Sequence, residues 1–300
     1  MSGNCLILPT VEVLLVFSLF SRAPVVPVLR FTGPIGMATP LRPGLALATA
    51  AGAIEKAFKA SKLPSVAVLI NSPGGSPVQS HLIYKRIRQL AGEHGKRVYV
   101  FCEDVAASGG YFLAIAGDEI YADPSSIVGS IGVVSAGFGF DKAIEKLGID
   151  RRVYTAGTSK AILDPFQPEK PEDIARLRTL QKDIHETFIG LVKERRGARL
   201  TGAEDELFSG AFWTGRKALE YGLIDGIADV RTRMRELHGD KVRLRVIPMS
   251  GGGLLARFRR LPGFSMGKLT DGEPSTWSTA LPGDVISAVE ARALWSRFGL

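Results

Sequence analysis

Chemistry could be concentrated in the stretch from Glu103 to Val134, EDVAASGGYFLAIAGDEIYADPSSIVGSIGVV. Ser108 follows Ala106 and Ala107 and precedes Gly109 and Gly110, and the apolar run Tyr111 to Ala116 comes next. A serine flanked by small residues at a strand-to-helix turn can expose its hydroxyl, and the glycines let backbone and substrate approach closely. The N–H groups that open the helix can hold an oxyanion. The chemistry would be attack of a hydroxyl on a carbonyl. A tight turn with a capping serine is the ordinary alternative.

Serine is a weak nucleophile and needs a base. His81, His94, His185 and His238 stand in no catalytic motif, and each reads as a surface or satisfied histidine. They also lack metal-ligand spacing, so neither a zinc site nor any other cofactor is expected. A neutral lysine can replace histidine. Free lysine has a pKa of about 10.4, which burial against apolar side chains lowers by several units. Lys160 is the candidate, with Ala156, Gly157 and Ser159 before it and Ile162 and Leu163 after it. An exposed loop lysine is its ordinary alternative. Glu103 and Asp104 would be the proton-transfer groups if the chain were instead an acyl-CoA enzyme.

These residues must be positioned by repeated strand, loop and helix units. Strands are expected over Val25 to Phe31, Ser65 to Ile70, Arg97 to Phe101, Glu119 to Ala122, Gly132 to Ser135, Asp150 to Thr155 and Val242 to Ile247. Helices are expected over Leu45 to Ala60, Val78 to Glu93, Tyr111 to Ala116, Asp141 to Leu147, Pro171 to Arg196, Gly215 to Tyr221 and Val230 to Leu237. The long helix from Pro171 carries Ile174, Leu177, Leu180, Ile184, Phe188 and Leu191 at helical spacing, with Gly197 to stop it. Consecutive units of this kind predict an α/β fold with right-handed crossovers and parallel sheets. Ligands then bind outside the carboxyl ends of the strands. The loop Asn71-Ser72-Pro73-Gly74-Gly75 and the loop at Ser108-Gly109-Gly110 both fall at such ends and could face one crevice.

The motifs Asn71 to Gly75, Ala107 to Tyr111, Asp123-Pro124, Gly129-Ser130-Ile131-Gly132, and Thr155-Ala156-Gly157 with Lys160 occur in an order that resembles the signal peptide peptidase A family, including the SohB-like proteases. The similarity runs from about Val25 to Val230. It implies a ClpP/crotonase-like fold of repeated ββα units and a Ser/Lys dyad that cleaves peptides such as remnant signal peptides or other hydrophobic membrane-derived segments. Ser108 would be the nucleophile and Lys160 the general base, at a spacing like that of the short, single-repeat bacterial members. Ser130 matches the second serine that orients the lysine. The backbone N–H groups of Gly75 and Gly109 would form the oxyanion hole. Phe112, Phe138 and Phe140 are candidate walls of an apolar substrate pocket. Long members of the family carry the lysine in a separate repeat. No internal duplication is visible here, so the resemblance implies a homo-oligomeric ring in which the site can draw on adjacent subunits. A crotonase-like acyl-CoA enzyme and a non-catalytic membrane scaffold of the same fold are the alternatives.

Composition suits a folded chain, with 45% apolar and 23% charged residues. The organisation expected is an N-terminal apolar segment over 1–24, a peptidase domain over 25–248 and a basic, apolar extension over 249–300. Residues Cys5 to Phe20 are interrupted by Pro9 and Glu12, and they are short for a spanning helix, which needs about 20 apolar residues. The family usually carries one clear N-terminal transmembrane helix, so the expected setting is a bacterial inner membrane surface or the cytoplasm. The net charge of +8 owes much to C-terminal arginines, and Leu254 to Arg260 could lie on a membrane. The expected partners are peptide substrates, further copies of the chain and a membrane surface, and not nucleic acid. Two cysteines, Cys5 and Cys102, make no disulfide framework.

Overall fold

The structure, a computed structural model, describes residues 23–37, 44–157, 159–249 and, near the C-terminus, 292, 295, 296 and 298. The segments expected at Cys5 to Phe20 and Leu254 to Arg260 lie outside these residues. Eight strands form one sheet: β1 (Val25–Thr32), β2 (Ser65–Ser72), β3 (Arg97–Ala107), β4 (Glu119–Ala122), β5 (Ile127–Gly129), β6 (Phe212–Thr214), β7 (Gly226–Ile227) and β8 (Arg243–Val246). The main order is β6-β5-β3-β2-β1-β8, and β4 pairs with both β3 and β7. Every pair is parallel except β5 with β6. The mixed α/β, mostly parallel sheet expected from the sequence is therefore present.

β1, β2 and β3 each carry a central apolar run, Val26 to Leu29, Val66 to Ile70 and Val98 to Cys102, because both faces are covered there. Val66, Val68, Ile70, Val98 and Val100 pack under α1 (Leu47–Lys59) and α2 (Pro77–His94). Each such side chain removed from water stabilises the fold by about 1.5–3 kcal/mol before its entropy cost. The next helices are α3 (Gly109–Ala114), α4 (Asp141–Lys146), α5 (Pro171–Arg196), α6 (Glu204–Leu207), α7 (Gly215–Glu220) and α8 (Val230–His238). Pro171 sits in the first turn of α5, Glu172 and Asp173 suit the positive end of its dipole, and Gly197 closes it.

The strands expected at Gly132 to Ser135 and Asp150 to Thr155 do not form. Val134 and Tyr154 are 62% and 91% exposed, and no neighbouring strand accepts their backbones. Residues 133–170 with α4 make an outlying arm in which no described residue is buried as a whole, although the Asp164 carboxylate is shielded beside Arg151. The N-terminal half of α5 belongs with it. Only Phe188, Val192 and Arg196 of that helix are buried, while Leu180 and Ile184 stay exposed. Near the C-terminus, Arg292, Trp295 and Ser296 are helical, and Trp295 and Phe298 pack on Val105, Ala107 and Ile127. Trp295 and Phe298 thus touch the core of their own chain.

Candidate active site

β3 ends at Ala107, and Ser108 turns the chain into α3 with φ 52° and ψ −121°. A non-glycine residue there is strained by about 1–3 kcal/mol, so the surroundings must hold it. They do so on both sides. The Ser108 N–H donates to the Gly129 carbonyl at 2.8 Å, extending the register in which Ala107 faces Gly129. Phe112 N–H donates to the Ser108 carbonyl at 2.9 Å and starts the helix. Ser130 follows Gly129 as Ser108 follows Ala107, and its φ is 54°. The two serines therefore stand side by side at the ends of adjacent parallel strands, which run about 4.8 Å apart. Ser130 is buried, and its N–H donates to the Ala211 carbonyl.

The glycine loop comes from β2. The Ser72 hydroxyl donates to the Gly33 carbonyl at 2.7 Å and accepts from the Gly74 N–H at 3.2 Å. Gly75 is bridged to Ile35 through the Gly74 carbonyl and the Ser76 N–H. In a parallel bridge of that kind the Gly75 N–H faces the other way. A Cβ on Gly75 would fall 2.2 Å from the Ile35 oxygen, and φ there is 140°, so only glycine fits. A Cβ on Gly109 would lie 3.2 Å from the Gly75 nitrogen, so the two N–H groups are neighbours. Gly109 opens α3, and its N–H has no partner within that helix.

Asn71 fixes the spacing. Between Ile70 and Ser72 the register with β3 slips, so that Ser72 faces Ala106. The Asn71 side chain spans the slip, donating to Asp104 and accepting from the Val105 N–H at 3.2 Å. Glu103 ion-pairs with Arg30 at 3.0 Å. Neither acidic residue lines the pocket described next, so the groups an acyl-CoA reaction would use point elsewhere.

Ser108, Gly109 and Gly75 open on a pocket of about 480 Å³. Its walls are largely apolar and include Phe112, Phe188 and Val134, with His81 from α2. The rings of Phe112 and Phe188 stack at 4.8 Å, and His81 lies 5.5 Å from Phe112. Burial, and then the charge of Lys85, push the His81 pKa below its ordinary value. Of the expected wall residues, Phe112 is in place. Phe138 and Phe140 are exposed on the arm, where Phe140 stacks on Phe166 instead. His81, Ile184 and Phe188 line the pocket without having been singled out for it. Their signal was present as helix faces in α2 and α5, but not the fact that both faces meet.

Lys160 is not among the lining residues. It lies on the arm, exposed, with its N–H donating to the Gly157 carbonyl at 3.4 Å. Ile162 and Leu163, expected to desolvate it, are themselves only half-buried. Within one chain the structure brings together Ser108, Ser130, Gly75 and Gly109, and leaves Lys160 apart. Among the described residues no group of His, Cys, Asp and Glu side chains could hold a metal ion.

An elbow serine beside two backbone donors, at the carboxyl ends of parallel strands, defines a hydrolase-type α/β protein. Comparison with known sequences agrees. The peptidase family S49 profile matches residues 91–242. A putative protease, slr0021, of Synechocystis sp. is 35% identical over 204 residues, covering 65% of this chain and 73% of that protein. A putative signal peptide peptidase SppA of Enterococcus faecium is 28% identical over 188 residues, covering 63% of this chain and 54% of that one. A protein of Brucella abortus named Na(+)/H(+) antiporter NhaA is 56% identical over 276 residues, 92% of this chain. The chain spans only 37% of that protein's length. The chain belongs to peptidase family S49 and is similar to its SppA/SohB-like members.

Proposed function

We propose that this chain is one subunit of a serine endopeptidase in which Ser108 is the nucleophile and Lys160, in its neutral form, the general base. The observation that carries this is the Ser108 elbow, held with positive φ beside the Gly75 and Gly109 amides in an apolar pocket. In the reaction, the Lys160 amine takes the Ser108 proton as the oxygen attacks the scissile carbonyl. The Gly75 and Gly109 N–H groups receive the oxyanion. The proton passes to the leaving amine, and water later releases the acyl group by the same route. Ser130, beside Ser108, is suited to orient the lysine.

Because Lys160 lies outside the pocket of its own chain, the base comes from a neighbouring copy in a ring. The exposed apolar side chains of the arm, among them Phe138, Leu147 and Tyr154, support this, since surfaces of that kind usually meet a partner. The apolar walls favour an apolar side chain next to the cleaved bond, as in remnant signal peptides or other membrane-derived segments. The chain's similarity to a signal peptide peptidase SppA supports a membrane setting, with the inner membrane surface preferred over the cytoplasm.

The test uses Ser108→Ala and Lys160→Ala in the assembled protein. Each is expected to lose about 10³-fold or more of its peptide cleavage rate. Mixing the two inactive variants should restore part of it, because some interfaces then pair an intact serine with an intact lysine. Unchanged cleavage in either variant overturns the dyad, and no recovery on mixing overturns its formation between chains.

A further inference from the structure

At the opposite end of β3 from Ser108 lies a second cavity of about 420 Å³, lined by Arg88, Lys96, Arg97, Arg195, Arg199 and a single carboxylate, Asp118. Nothing in the peptidase chemistry uses it. Its charge is only partly balanced by the surrounding ion pairs, because Asp118, Glu119 and Asp225 each serve two guanidinium groups. Asp118 pairs with Arg88 at 2.9 Å and with Arg195 at 3.5 Å. Glu119 pairs with Arg97 at 2.7 Å and with Arg233 at 3.2 Å. Asp225 pairs with Arg196 at 2.8 Å and with Arg199 at 3.4 Å. Lys96 donates to the Ser61 carbonyl, a neutral partner. The carbonyls that end α2 do little to offset this, since Gly95 N–H bonds to Gly92 and Lys96 N–H to Ala91.

The geometry is partly fixed in advance. Arg195 donates to the Ile115 and Gly117 carbonyls, and Arg88 to the Ala116 carbonyl, so both guanidinium groups are tied to the end of α3. Arg97 and Arg199 are half-exposed at the rim, with 58% and 50% of their side chains accessible, and can turn toward a guest. Two anchored and two adjustable guanidinium forks around one concavity suit an anion with several oxygens, which such forks bind through paired hydrogen bonds.

We infer that this cleft binds a phosphate-bearing anion, either a free phosphate compound or the headgroup of an anionic lipid. The site is separate from the peptidase pocket, although α2 and α5 each contribute to both: His81 and Phe188 to one, Arg88 and Arg195 to the other.

The experiment measures binding to the full chain in low salt, by calorimetry with inorganic phosphate and by co-sedimentation with vesicles. The vesicles are phosphatidylcholine alone, or phosphatidylcholine mixed with phosphatidylglycerol. The paired substitution Arg97→Gln with Arg199→Gln is suitable, because Glu119 and Asp225 keep Arg233 and Arg196 as partners and surface ion pairs contribute little to stability. Should that variant fail to fold, Arg97→Gln alone carries the same test. Saturable phosphate binding, weakened about tenfold or more in the variant, identifies a free anion as the guest. Binding only to the phosphatidylglycerol vesicles, lost in the variant, identifies a headgroup. Ser108→Ala should bind like the unaltered protein. Binding of neither probe, or equal binding by the variant, overturns the inference.

Discussion

Around Ser108, each neighbour is held by another: Ser72 ties Gly33 to Gly74, Asn71 spans the slip in β3, and Gly129 takes the Ser108 N–H. Around Lys160 the chain is open, and from Val133 to Lys170 no described residue is buried as a whole. The half of the site that needs strain and exact placement is built inside one chain. In the proposed dyad, the half that needs only to deliver an amine sits on an arm whose apolar side chains face outward. Core packing provides the first, because a dense interior can force a serine into a positive φ. The second gains its shape only when another surface covers it.

That contrast can be broken most forcefully from the core side. Arg196 is 3% exposed and holds Asp225 with two bonds and the Gly222 carbonyl with a third. Arg196→Ala leaves the largely buried Asp225 carboxylate with only the Ile120 N–H and the rim guanidinium of Arg199 as partners, and should lower stability in urea by about 3 kcal/mol. A loss under about 1 kcal/mol would mean that the core is less interlocked than its contacts say. On the arm, Phe138→Asp with Tyr154→Asp should leave the urea midpoint of the isolated chain nearly unchanged. Sedimentation should nevertheless show smaller particles, and cleavage should fall by about tenfold or more. Full activity in small particles would show that the arm needs no partner.

The smallest effect concerns His81 in the pocket wall. Its pKa is lowered, first by burial and then by Lys85, from an ordinary 6.5. As pH falls, the unfolded chain takes up that proton before the folded one does. The stability tied to His81 is therefore complete above 6.5 and drains away below it, down to the folded-state value. His81→Gln should flatten the decline measured by urea unfolding between about pH 7 and 5. His238, lowered by burial in the same direction, accounts for part of what remains. An unaltered slope would place His81 in water.

The regions differ in how far their sequence announced them. β2 and β3 were legible over Ser65 to Ile70 and Arg97 to Phe101, where the residues carry an apolar, β-rich pattern, but their polar ends at Asn71, Glu103 and Asp104 were not. β5, β6 and β7 run for three, three and two residues, too short for any period, and they exist because β3, β5 and β4 respectively offer them an edge. Asp150 to Thr155 has strand composition without such an edge, so it stays irregular. In the site, Ser108, Gly75 and Gly109 were readable from small residues at strand ends, since only those residues tolerate the contacts found there. His81 and Phe188 were not, because their meeting depends on how α2 and α5 cross above the sheet. The stripe on α5 was visible, but its division into a packed half and an uncovered half depends on where the core stops.

β3 runs unbroken from Arg97 at the mouth of the cationic cleft to Ala107, one step before Ser108. It is gripped by β2 along one side and by β4 and then β5 along the other. Its length works as a ruler. Removing one residue from its middle would turn every later side chain to the opposite face, and the hydroxyl would look into the packed interior instead of the crevice. Point substitutions along it can be absorbed. A change in the number of its residues cannot, so length variation among descendants of this chain should collect in the arm and spare this strand.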